Sequence, residues 1–380
     1  ASGWNFTGGD VTTPNMTVVN NNLATDVALT VQAKVGQNKG TNLQEWKDSA
    51  GTNKLYVNSA GALFGTTIVG TTFVVFGAAG VTGSLNVTGG STLSTTGAGA
   101  NSTSIGLDAG ATSQGATAVA IGHEAGQTSQ GAQSIAIGGD AGAGSQGTKS
   151  ISIGYLTGQT SQGTNAVAMG YNSGRVDQSD YAVAVGNSAG NNDQGIRAVA
   201  VGSGSGGTDQ GNYAVAVGDA AGAQTQGGNA VAIGRQAGST SQAIGAVAVG
   251  NFAGNSGQLG NTVAIGSGAG QTTQGINSVA VGVNSGNVTQ GDNSVAVGVE
   301  AGQTSQSTQA TAIGYAAGNN LQGANATAVG LLAGQTSQGV SATALGVNAG
   351  NNTQGASAVA VGNAAGQSSQ GANAVAVGGN

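Results

Sequence analysis

The chain has 380 residues, 74 of them Gly, with one Pro, no Cys, one His and only 6% charged residues. Nothing in it clusters Lys or Arg to displace counterions from phosphates or to dock on an anionic bilayer, so composition argues against nucleic-acid binding and polybasic membrane attachment. The net charge of −6 is thinly spread, no Lys or Arg follows Arg235, and the absence of Cys removes disulfide frameworks and thiolate metal sites.

In chain order, residues 1–65 read as a β-rich attachment or capping domain and 66–98 as a Gly/Thr-rich β-shaft transition. The longest apolar stretch, Ile68 to Val81, is interrupted by Gly70, Thr71, Thr72, Gly77 and Gly80. It is too short and too broken for a transmembrane helix, which needs ~20 apolar residues. The chain starts at Ala1 rather than Met with no signal peptide in view. The expectation is that a leader has been removed or that the true start lies upstream.

From residue 99 to 380 a repeat takes over. Gln recurs at Gln114, Gln130, Gln146, Gln162, Gln178, Gln194, Gln210, Gln226, Gln242, Gln258, Gln274, Gln290, Gln306, Gln322, Gln338, Gln354 and Gln370, always 16 residues apart. Gly columns run from Gly106 to Gly378 and from Gly110 to Gly366. A further Gly column directly follows the Gln and becomes Ser179, Ala243, Leu259 or Ser307 in four repeats. Segments such as Ala118-Val119-Ala120-Ile121-Gly122 and Ser134-Ile135-Ala136-Ile137-Gly138 carry the strand signal.

The Val119 column is β-branched in every repeat, and the Ile121 column is always Val, Ile, Leu or Met. Residues two apart share a strand face, so these columns form one apolar stripe with Ala120 opposite. Sixteen residues accommodate two short strands and two tight turns, not a helix pair. The reading is an all-β parallel β-solenoid, or β-roll, of about seventeen coils and ~80 Å at a strand spacing of ~4.8 Å. Val and Ile are expected inside, the segment Gln127-Thr128-Ser129-Gln130 towards water, and a flat Ala face outside. Three such Ala faces meeting on an axis predict a homotrimer.

Asn277-Ser278-Val279-Ala280-Val281-Gly282 and Asn293-Ser294-Val295-Ala296-Val297-Gly298 resemble the head repeats of trimeric autotransporter adhesins. That resemblance covers residues ~100–380 and implies left-handed parallel β-rolls, three chains wide, that bind host surfaces. The fixed Gln and the coil length depart from the family's pattern. Asn42-Leu43-Gln44-Glu45-Trp46-Lys47-Asp48-Ser49-Ala50-Gly51-Thr52 and Leu55-Tyr56-Val57-Asn58-Ser59-Ala60-Gly61-Ala62-Leu63 are similar instead to bacteriophage and large-virus fibre segments. Together the halves imply a viral or phage-type tail fibre, extracellular or on the virion surface, that contacts a host glycan or protein receptor. A cell-surface adhesin or a self-assembling filament subunit is the alternative.

Stacked identical amides hydrogen-bond along parallel strands, so the Gln column is expected to be a structural ladder. A Gln/Asn alternation at Gln271, Asn287, Gln303, Asn319, Gln335, Asn351 and Gln367 reads as a duplicated pair of coils. Ice binding would need a regular outward Thr array. The column at Thr112, Thr128, Thr160, Thr208, Thr240, Thr272, Thr304 and Thr336 is broken by Gly144, Val176, Gln224, Val288 and Asn320.

His123 reads as a variable surface position without a nearby Asp, and Asp177, Asp180, Asp193, Asp209 and Asp219 as solubilising. No enzyme, cofactor or metal site is therefore expected. Tyr155, Tyr171, Tyr181, Tyr213, Arg175 and Arg197, with Phe252, are the candidate surface contacts, because exposed aromatics and Arg dominate binding surfaces. Sequons occur at Asn5, Asn15, Asn86, Asn101, Asn287, Asn325 and Asn351. The last apolar strand runs to the chain's end without a cap, so a following tip, a covering partner or end-to-end self-assembly is expected there.

Overall fold

A computed structural model describes residues 99–379 together with three N-terminal strands, β1 (Asn42–Lys47), β2 (Asn53–Asn58) and β3 (Leu63–Gly65). The chain divides into Ala1–Asn86 and Val87–Asn380. In the first unit β1 and β2 pair antiparallel with Trp46 opposite Leu55, and β3 adds to β2 with Phe64 opposite Tyr56. The expected shaft at 66–98 and the sequons Asn5, Asn15 and Asn86 lie outside the described residues.

The second unit is an all-β solenoid of 16-residue coils, with no helix among the described residues. Each coil contributes a three-residue V-strand, from Thr103–Ile105 to Val375–Val377, to one continuous parallel ladder. The pairing is in register at a 16-residue offset, as in Val231 beside Val247 and Ala232 beside Ala248. Opposite runs a second ladder of Q-strands, each ending in the column Gln. Eight of them span Thr160–Gln162 to Thr272–Gln274, and five span Thr304–Gln306 to Ser368–Gln370. Single bridges at Gln130, Gln146 and Gln290 carry the pairing where three-residue strands lapse.

The interior reverses the expectation for the apolar stripe. The middle Ala of the V-strand is fully buried and the flanking Val and Ile are half-buried or exposed, in coil after coil. The core consists of Ala120-type and Ala125-type columns packed on one another, for example Ala216, Ala221, Ala232 and Ala237. The Gln column lies inside as well, with Gln194 and Gln258 at 0% exposure. Gln therefore does not face water, and the outer flat face is Val/Ile rather than Ala.

Distance across the coil explains the reversal. A Gln side chain rooted on the Q-strand reaches over and donates from Nε2 to the carbonyl of the V-strand, as Gln130 does to Val119 at 2.8 Å and Gln242 to Val231 at 2.9 Å. Seventeen such bonds run from Gln114 to Gln370. With an amide occupying the gap, the facing residue must be small, and Ala fits where Val would overpack.

Glycine earns its columns by two different means. In the Gly122 column φ lies between +120° and +135°, a region nearly closed to other residues. The column after the Gln has no positive φ but passes close to the next coil. There Gly donates to the next Gln carbonyl at 2.7–2.8 Å, whereas Ser179, Ala243, Leu259 and Ser307 do so at 2.9–3.1 Å. A side chain at that position is thus admitted by opening the coil spacing a few tenths of an ångström.

Candidate functional site

In-register stacking places equivalent residues of successive coils side by side, so every column is a row of neighbours ~4.8 Å apart. Inside, Gln162 donates to Gln178 Oε1 at 3.0 Å, and each following Gln repeats this down to Gln370, at 3.0–3.2 Å. Above Gln162 the chain of amides changes. Gln114 Oε1 accepts from Ser104, Gln162 Oε1 accepts from Ser152, and the buried Oε1 atoms of Gln130 and Gln146 have no donor.

Outside, the six candidate contact residues fall on different edges. Tyr155 and Tyr171 follow their V-strands, and their rings stack with centroids 5.9 Å apart and planes 24° apart. Tyr181, Arg197 and Tyr213 precede theirs, on the opposite edge of the V-face. The Arg197 guanidinium lies 5.3 Å from the Tyr181 ring and 5.7 Å from that of Tyr213, and Nη1 donates to Tyr213 Oη at 3.2 Å. Arg175 Nε donates to Gln159 Oε1 one coil away at 3.2 Å. Arg235 covers the Phe252 ring at 4.4 Å. These side chains are half-exposed, yet each spends one face or donor on its neighbour in the stack.

Because these contacts are solvent-exposed, Arg197→Ala is expected to cost no more than about 1 kcal/mol in chemical unfolding. A larger loss would show that Arg197 supports the roll rather than decorating it.

The Asn/Gln alternation has a structural counterpart. Asn287 donates to Gly268 O at 2.7 Å and to Gln271 Oε1 at 3.0 Å. Asn319 and Asn351 repeat this with Gln303 and Gln335. The longer Gln supplies the acceptor and the shorter Asn reaches the preceding coil's carbonyl, clipping coils together in pairs. Two of the sequon asparagines, Asn287 and Asn351, are thereby engaged, while Asn101 and Asn325 stand exposed on corners with φ of 60° and 59°.

The largest outward feature is one the sequence reading had placed inside. The half-exposed Val/Ile stripe follows the V-strand ladder along its length, with Met169, Ile233, Ile265, Ile313 and Leu345 among its most exposed members. Over five coils it widens, because the position two after the strand is also apolar and exposed: Val283, Val299, Tyr315, Leu331 and Val347. The Thr column lies on the Q-strand side, exposed at Thr208, Thr240 and Thr272 and interrupted by Val176, Gln224 and Val288.

His123 is not isolated. Its Nε2 lies 3.6 Å from Glu124 Oε1, and Asp140 stands on the adjoining coil.

The fold and these surfaces define a β-roll repeat protein. No family model, no curated protein and no solved structure matches the chain.

Proposed function

We propose that this chain forms the rigid rod of an extracellular fibre, of the viral or phage tail-fibre type, assembled as a homotrimer through its Val/Ile faces. The observation that carries the reading is the outward apolar stripe, continuous over the V-strand ladder and free of charged residues. A solvated face of this kind would normally alternate polar residues. A strip ~10 Å wide along ~80 Å offers ~800 Å² per chain, as much as a partner gives to one standard interface and here divided between two neighbours. Val and Ile replace Ala at the axis of the assembly that the sequence suggested, which strengthens the case because their burial removes more apolar area.

The resemblance of the V-strand segments to adhesin head repeats, and of residues 42–63 to fibre segments, supports placement on a host-contacting appendage. A cell-anchored adhesin would share the same rod. A glycan or protein receptor would meet the Tyr/Arg edges rather than the stripe, since the stripe is consumed in assembly.

Light scattering after size exclusion tests the reading, with a mass near three times 35.7 kDa expected for the full chain. Val247→Lys and Val263→Lys together, placing charges in the middle of the stripe, are expected to give monomer. A monomeric wild-type chain, or a trimer indifferent to both charges, would refute this assembly.

A further inference from the structure

The one histidine of the chain sits where two consecutive coils present carboxylates. His123 and Glu124 occupy the corner just after the V-strand Val119–Ile121, and Asp140 occupies the same corner one coil later. Both corners follow a column Gly at φ of +128° and +124°, and Glu124 and Asp140 themselves have φ of 55° and 54°. Coil-to-coil backbone bonds hold them there: Glu124 N donates to Leu107 O and Asp140 N to His123 O, both at 2.9 Å. The side chains therefore project from a fixed double corner, and their ligand atoms all lie within 4.8 Å of one another.

Charge points the same way as geometry. Asp108 continues the acidic column one coil earlier, so three consecutive corners carry a carboxylate, ~4.8 Å apart by strand spacing. No Lys or Arg stands on this edge in these coils to offset their repulsion; the same edge carries Arg235 only seven coils further on. Lys149, the next cation along the chain, lies on the opposite edge, ahead of its V-strand Ile151–Ile153. In the column of Glu124 and Asp140, Leu156, Asn172 and Ser188 follow, so the acidic run is confined to the first coils. These are also the coils where Gln130 and Gln146 lack an amide donor for Oε1, so the side-chain ties between coils are fewest there.

We infer that His123, Glu124 and Asp140 bind one divalent transition-metal ion of the zinc or nickel class across two coils. Ligand atoms about 2.1 Å from one ion lie within about 4.2 Å of each other, so small rotations of the exposed His123 and the half-buried Glu124 and Asp140 close the set. One imidazole nitrogen with two carboxylate oxygens selects zinc or nickel over calcium or magnesium, which take oxygen alone. Water completes the shell, because the site is open to solvent. An ion there ties successive coils at their corner and neutralises the carboxylate column.

The single histidine gives one Cε1–H signal in a proton–carbon NMR spectrum of the full chain, so the test has an unambiguous reporter. Adding zinc chloride is expected to move that signal to saturation at one equivalent per chain, with calcium chloride at the same concentration leaving it unmoved. Glu124→Gln and Asp140→Asn are each expected to weaken the zinc response about tenfold or more. Both are half-buried on the outer corner, and unchanged amide spectra elsewhere would show that the roll is intact. A signal unaffected by excess zinc would overturn the site. So would a zinc response that both variants leave unchanged, since that describes a lone surface imidazole and not a three-residue site.

Discussion

Gln242→Leu should split the roll into two separately unfolding blocks. Gln242 Nε2 donates to Val231 O at 2.9 Å and to Gln258 Oε1 at 3.0 Å, while its own Oε1 accepts from Gln226 at 3.0 Å. Leu matches the volume and keeps the interior apolar. It nevertheless leaves the carbonyl of Val231 and the amide oxygen of Gln258 buried without this donor. Each bare buried acceptor costs about 1–3 kcal/mol, so the loss is about 2–6 kcal/mol at a single coil. In a solenoid each coil is stabilised only by its neighbours, so a defect of this size uncouples the two sides. Guanidinium unfolding followed by circular dichroism is expected to change from one transition to two. A single transition at the wild-type midpoint would mean that the Gln column is dispensable.

Gln242→Glu gives the same defect a pH signature. Burial in an uncharged interior disfavours the carboxylate, so its pKa in the folded roll stands above the unfolded value of about 4.3. A raised folded pKa means the folded state holds its proton where the unfolded state has lost it. Stability is therefore fully present below the unfolded pKa and falls as pH rises towards the folded one. The protonated side chain can still donate one hydrogen bond and accept another, so the variant should approach wild-type stability in acid and lose it towards neutral pH. Gln242→Leu should show no such pH dependence relative to wild type.

The second large effect is expected at the glycines, and only at some of them. Gly250 has φ of +134°, and a Cβ there would lie 2.6 Å from the carbonyl oxygen of Gly266. Gly250→Ala combines a backbone conformation costing about 1–3 kcal/mol with a clash against backbone in the next coil, and the two together should exceed about 3 kcal/mol. Gly227→Ala also sets a Cβ against backbone, 2.5 Å from Ile244 N, but it has no positive φ and its column already admits Ala243 and Leu259 with hydrogen bonds lengthened to 2.9–3.1 Å, so it should cost clearly less than Gly250→Ala. Thermal unfolding of the two variants side by side separates the explanations. Equal destabilisation would indicate that coil spacing, rather than φ, governs both columns.

Bulky residues at other left-handed corners show why the glycine requirement is selective. Tyr181, Tyr213, Leu332 and Phe252 have φ of 54° to 61°, and Asn165, Asn229, Asn277 and Asn293 hold similar values. These corners point outward, so a side chain meets solvent or a neighbour in its own column. The Gly122 column has a more extreme φ and backbone beside it. Asn is a common solution at the outward corners because its short polar side chain tolerates this conformation best.

Much of this molecule was legible from spacing alone. The 16-residue offset of the Gln column and the Val-Ala-Val-Gly segments placed each V-strand, the turns and the parallel register, because in a solenoid sequence period and structural period are the same number. What spacing could not reveal was which way the V-strand faces. Alternation assigns residues to two faces but does not say which face is inside, and the habit of burying Val and Ile pointed to the wrong one. The decision lay in the gap between the two ladders, whose width is set by a Gln side chain reaching from one strand to the carbonyl of the other.

The same limit applies to the surface. Asp140 looks unrelated to His123 and Glu124 in a linear reading, and Asn287 to Gln271, because their proximity is created by coil-on-coil stacking and not by neighbouring positions in the chain. The repeat by itself determined that the chain builds a solenoid, since only stacked coils can satisfy so many fixed glycines, amides and strand residues at once. The tertiary structure alone decided that alanine and glutamine make most of its core, and that valine and isoleucine are left outside, because a bridging amide fills the space between two ladders this close and leaves room for little more than a methyl group beside it.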